Sequence, residues 1–137
     1  MDNSTITIGI AEDHIFLRKA LQIALDSIGF KVLIVAADGL RFLEQMSSVN
    51  QPPSLCIIDV NMPVMDGCVT VRKLKAAYPS VRVLAMTVFE NDKKRNAILA
   101  AGADDFIVKS EPIEKWEQMI IDCYTKGSPK SNNIVAG

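Results

Sequence analysis

Cysteine, histidine and net charge are scarce in this 137-residue chain, and each scarcity closes off a class of function. The three cysteines (Cys56, Cys68 and Cys123) are odd in number, widely spaced and set in apolar stretches, with no Cys-x-x-C pair. They read as reduced core thiols, not as disulfides, metal ligands or a redox couple. His14, the only histidine, reads as a surface residue behind an acidic pair. The formal charge is -1 with a pI near 5.8, which argues against a surface built to hold nucleic acid. No apolar run approaches the roughly 18–20 residues of a membrane span. The opening Met1-Asp2-Asn3-Ser4 lacks the basic and apolar regions of a secretory signal. With only seven glycines and six prolines against 49% hydrophobic residues, the composition is neither disordered nor fibrous. A single globular domain in the cytoplasm is the expectation.

Short β-branched runs alternate with longer runs of helical period. Strands are expected at residues 5–11, 31–36, 54–59, 82–87 and 105–109. The first helix spans 15–28, with Leu17, Leu21, Leu25 and Ile28 in register and Gly29 where a left-handed residue is wanted. Asp38 can cap a second helix carrying Leu40, Leu43 and Met46. A third, 69–78, is stopped by Pro79, and a fourth, 91–101, is closed by Gly102. The last begins near Pro112 and places Ile113, Trp116, Ile120 and Cys123 on one face. Such alternation implies a parallel sheet covered by helices on both faces, an α/β class. From residue 126 the composition turns to linker chemistry, so the domain is expected to be 1–125, with 126–137 a tether.

In an open α/β sheet, ligands bind at the carboxyl ends of the strands. There the chain places Glu12-Asp13 after the first strand, Asp59 at the end of the third, Thr87 at the end of the fourth and Lys109 at the end of the fifth. Singly, each has a plain reading. Asp13 can cap a helix, Asp59 can open a turn before Pro63, Thr87 is a common strand residue, and Lys109 can be a solvated charge. Together, three carboxylates at one edge would repel one another unless a cation held them. Oxygen-only ligation suits Mg2+. The chemistry this supports is phosphoryl transfer to a carboxylate, which is already ionised and needs charge neutralisation and positioning.

At this point the sequence strongly resembles the receiver domain of two-component response regulators. The resemblance rests on Glu12-Asp13, the run Ile57-Ile58-Asp59-Val60-Asn61-Met62-Pro63-Val64-Met65-Asp66-Gly67, Met86-Thr87 and Phe106-Ile107-Val108-Lys109 in that order. It implies a flavodoxin-like sheet of order 2-1-3-4-5. It implies Asp59 as phosphoacceptor from a sensor histidine kinase or phosphotransfer protein. Asp13, Asp59 and the Asn61 backbone carbonyl would ligate Mg2+, with Glu12 acting through water. Thr87 and Lys109 would contact the phosphoryl oxygens, Phe106 would be the switch aromatic, and Asn61 and Phe89 would flank the path of hydrolytic water.

Lys109 is followed by Ser110, where many receivers have proline. A cis bond there would cost about 2.5–4 kcal/mol, which leaves the isomer open. The Lys-Ser-x-Pro pattern and the Asp13-His14 start look like the subfamily that precedes a helix-turn-helix DNA-binding domain. DNA would then be reached only through such an output domain, with homodimerisation on phosphorylation a further possibility. A stand-alone receiver that docks a protein is the alternative. A phosphatase of the haloacid dehalogenase type fits less well, because Asn61 stands where its second carboxylate is needed and cannot shuttle a proton. A flavodoxin-like electron carrier needs a phosphate loop where this chain has Glu12-Asp13.

Overall fold

A computed structural model of the protein describes residues 2–88 and 91–126. After a 3₁₀ turn at Asn3–Thr5, five strands alternate with five helices. They are β1 (Thr7–Ala11), α1 (Ile15–Ser27), β2 (Lys31–Ala36), α2 (Gly39–Ser48), β3 (Leu55–Asp59), α3 (Gly67–Ala77), β4 (Arg82–Thr87), α4 (Asp92–Ala101), β5 (Asp105–Val108) and α5 (Ile113–Lys126). All ladders are parallel, in the order β2-β1-β3-β4-β5. The order reverses beside β1, between β2 on one side and β3 on the other, and this opens a crevice at the carboxyl edge.

The two faces of the sheet bury separate cores. Side chains alternate along each strand, so Ile8, Ile10, Leu55, Ile57, Leu84 and Met86 meet α1 and α5 through Leu21, Leu25, Trp116, Ile120 and Cys123. On the other face Ala11, Cys56, Ile58, Val83 and Ala85 meet α2, α3 and α4 through Phe42, Met46, Val71, Leu74 and Ile98. β3 is buried along its whole length, as its run of apolar residues requires.

Local differences from the expectations have physical reasons. Residues 5 and 6 do not extend β1, because Thr5 closes the 3₁₀ turn onto Asp2. In α2 the buried face is Phe42 and Met46, while Leu40 is exposed. Phe42 fills the space that Gly9 leaves open: a Cβ at Gly9 would stand 3.0 Å from its ring. α3 starts at Gly67 and not at residue 69, because the Asp66 carboxylate accepts from Val69 N at 3.0 Å and caps the helix. Cys56 and Cys123 are buried free thiols, whereas Cys68 is only half-buried. Among the described residues no peptide bond is cis, so the Lys109–Ser110 bond is trans. No described helix is long and apolar enough to cross a membrane.

Candidate functional site

Parallel register delivers the chemistry to one edge. Asp59 pairs with Met86 and Thr87 with Val108. The ladders continue one residue beyond the strands through Glu12 N to Ala36 O, Val60 N to Met86 O and Lys109 N to Thr87 O, at 3.0, 3.0 and 2.7 Å. Glu12 and Lys109 therefore leave the sheet from fixed backbone.

Lys109 is the hub. Its Nζ lies 2.7 Å from Glu12 Oε1 and 3.0 Å from Asp59 Oδ2. Glu12 is wholly buried and Asp59 is 2% exposed. The second oxygen of Glu12 accepts from His14 N at 3.0 Å, and Asp59 Oδ1 accepts from Asn61 N at 3.1 Å. Glu12 Oε1 makes no hydrogen bond of good angle and relies on the nearby ammonium. Two buried carboxylates thus share one cation, and a net negative charge remains. Burial, with the Glu12 charge adding to it, pushes the Asp59 carboxyl up to about 7, against the pull of Lys109 and the Asn61 amide. Burial lowers Lys109, but the Glu12 and Asp59 carboxylates beside it outweigh burial and hold the ammonium above its ordinary value.

Asp13 completes the acidic group from the solvent side. One carboxylate oxygen each from Glu12, Asp13 and Asp59 lie within 4.8 Å of one another. Asp13 does not cap α1; His14 does, accepting weakly from Leu17 N at 3.4 Å. Three carboxylate oxygens this close would hold a small divalent cation, which would neutralise their mutual repulsion. Hard oxygen donors, an uncompensated charge and one carboxylate open to solvent fit a small divalent cation.

The segment behind Asp59 is tightly constrained. Gly67 N donates to Val60 O at 2.9 Å, and a Cβ on Gly67 would lie 2.5 Å from Asp59 O. Only glycine allows α3 to begin this close to the end of β3. Met65 N donates to Pro63 O at 2.7 Å around Val64, whose φ of 68° is the one positive value at a non-glycine residue among those described. A β-branched residue there stores backbone strain in the loop that follows Asp59.

Thr87 is 6% exposed at the end of β4. Phe106 is half-buried against the core beneath α4, with the Arg95 guanidinium 5.6 Å from its ring centroid. Thr87, Phe106, Val60 and Arg95 line one small cavity. The side chain of Asn61 is exposed. Phe89 lies outside the described residues. Glu12, Asp13, Asp59 and Lys109 are thus brought together, with Thr87 on the neighbouring strand end. Sequence reasoning quoted Gly67 in the run behind Asp59 but gave it no role, and it passed over Arg18, whose side chain donates to the Glu12 and Asp13 carbonyls and which nothing in its spacing marks out.

Over residues 8–121 the chain matches the response regulator receiver domain. Oxygen regulatory protein NreC of Staphylococcus epidermidis is 27% identical over 108 residues, covering 77% of this chain and 49% of that protein. Response regulator MprA of Mycobacterium ulcerans is 31% identical over 111 residues, covering 81% of this chain and 47% of that one. The chain therefore spans about half the length of these curated relatives. Among solved structures, Vibrio cholerae chemotaxis protein CheY4 superimposes with a TM-score of 0.78 at 26% identity, covering 85% of this chain and 96% of CheY4. With the sheet order and the acidic edge already in place, the chain belongs to the response regulator receiver family, the phosphorylation-dependent switches of two-component signalling.

Proposed function

We propose that Asp59 is the phosphoacceptor of this receiver. The observation that carries the reading is the placement of Lys109 Nζ between the buried Glu12 and Asp59 carboxylates, with Asp13 open beside them. An Asp59 oxygen attacks the phosphorus of a phosphohistidine on a sensor kinase or phosphotransfer protein. The phosphorus–nitrogen bond breaks, and its electron pair stays on the imidazole nitrogen, which then takes a proton. Lys109 and the Thr87 hydroxyl bind the phosphoryl oxygens. Asp13, Asp59 and the Asn61 carbonyl would hold Mg2+ directly, and Glu12 through water. When bound, the ion neutralises charge on the incoming group and on the carboxylates. Lys109 offsets what remains, and the Asn61 amide fixes the orientation of the Asp59 carboxylate.

Movement of Thr87 toward the phosphate then vacates space that the Phe106 ring enters, altering the surface around α4 and β5. The resemblance also gives Asn61 and Phe89 the flanks of the path of hydrolytic water; Asn61 can orient that water by hydrogen bonding, and Phe89 lies outside the described residues. The domain is read as a phosphoacceptor with at most self-catalysed phosphorylation and dephosphorylation. Residues 1–125 are read as the receiver unit, with α5 reaching Lys126; the rest of the expected tether, 127–137, lies outside the described residues. A regulatory output is supported by the likeness to the oxygen regulatory protein NreC and the response regulator MprA; transcriptional control through a DNA-binding output domain, with homodimerisation on phosphorylation, is the reading proposed for it, and stand-alone docking is the alternative. The test is intact mass after incubation with acetyl phosphate and Mg2+. One added phosphoryl group is expected on the wild type and none on Asp59→Asn. Equal labelling of the variant would overturn the assignment.

A further inference from the structure

Glu12 is oriented by His14 N and Lys109, and Asp59 by Asn61 N and Lys109. Among the described residues, no hydrogen bond or ion pair engages the Asp13 carboxylate. What is fixed of Asp13 is therefore its main chain, which sets the direction of its Cβ. That main chain is held from α1: Arg18 Nη1 donates to Glu12 O at 2.8 Å and to Asp13 O at 3.3 Å. These two carbonyls belong to the peptide planes on either side of the Asp13 Cα. Fixing both planes fixes the backbone dihedrals of Asp13, and with them the direction of its Cβ. The Arg18 amide itself donates to His14 O at 2.9 Å, so the clamp is anchored on the helix turn that follows the loop it holds.

We infer that Arg18 is a positioning residue for the cation site, pinning the peptide planes around Asp13 so that its carboxylate faces Glu12 and Asp59. The inference rests on the metal reading above and deepens it. Charge and geometry forecast opposite signs, which makes it testable. A guanidinium near a divalent ion repels it, so a residue acting only as a charge would tighten Mg2+ binding when removed. A positioning residue loosens it, by about tenfold if it acts as groups that orient metal ligands usually do.

The experiment is a calorimetric Mg2+ titration of wild type, Arg18→Ala and Arg18→Lys. It is paired with amide hydrogen exchange of the metal-free proteins at His14, whose N–H reports the Glu12 contact. Arg18→Ala should bind Mg2+ about tenfold more weakly and exchange faster at His14, while Arg18→Lys, which keeps a donor of similar reach, recovers part of both. Wild-type affinity or tighter binding in Arg18→Ala, or unchanged exchange at His14, would overturn the inference and leave the metal reading standing. A wild type that takes up no Mg2+ would overturn the metal reading itself.

Discussion

At the residue scale, the site depends as much on what is small as on what is charged. Alanine at Gly67 would put a methyl 2.5 Å from Asp59 O and 2.7 Å from Val60 Cα, both backbone atoms that cannot swing aside. Gly67→Ala should therefore cost about 1–3 kcal/mol and displace Asp59 as the backbone shifts. Urea denaturation and acetyl phosphate labelling should both register the change, and an unaltered midpoint would refute the close-approach role. Charge acts at a distance from the site as well. Burial, with the Asp122 and Asp104 charges adding to it, raises the Asp105 carboxyl, while the Phe106 amide and Lys115 pull it down. A raised carboxyl holds its proton more tightly folded than unfolded. Its stabilising contribution is full below the ordinary value of 3.8 and is lost as pH rises through the folded value. Asp105→Asn keeps an acceptor for Phe106 N, so its Tm should exceed wild type at pH 7. Because the group is half-exposed, the gain should be under about 1 kcal/mol. The gap should close toward pH 4; a gap equal at both pH values would exclude ionisation as its cause.

At the scale of elements, caps set where the helices begin and so where the loops point. Asp66 holds α3 through a 3.0 Å bond, with Thr70 Oγ1 donating back to Asp66 O at 2.8 Å, whereas His14 holds α1 only at 3.4 Å. Asp66→Ala should cost about 1 kcal/mol and His14→Ala clearly less, a difference that paired urea titrations resolve. Equal losses would mean that bond length does not rank these caps. The elements themselves were largely legible. β2 and β4 fall on the expected residues, because a β-branched apolar run bounded by turn residues has one reading. Asp38, Gly29 and Gly102 sit where capping chemistry wants them, the two glycines at φ of 101° and 122°. Phe42 was not legible as core, since its burial depends on Gly9, a glycine far off in β1. Nor was Arg18, whose partners are backbone carbonyls that carry no side-chain signature.

At the scale of the whole molecule, parallel topology itself creates the electrostatic problem that a cation solves. Every strand ends at the same edge, and the order reversal beside β1 brings Glu12 and Asp13 against Asp59 with one ammonium among three carboxylates. Folding therefore concentrates negative charge that the unfolded chain keeps apart. A ligand that binds only the folded state stabilises it by linkage, about 2.7 kcal/mol at a hundred times its dissociation constant. Mg2+ should accordingly raise the Tm of the wild type. Asp13→Ala should abolish that rise, and should also raise the Tm of the metal-free protein by relieving the crowding. The second effect should be below about 1 kcal/mol, because Asp13 is exposed and its repulsion is screened. Thermal scans of both proteins with and without Mg2+ test the two effects together. A wild-type Tm insensitive to Mg2+ would count against the cation site. An Asp13→Ala variant that still responds fully would move the ion away from Asp13.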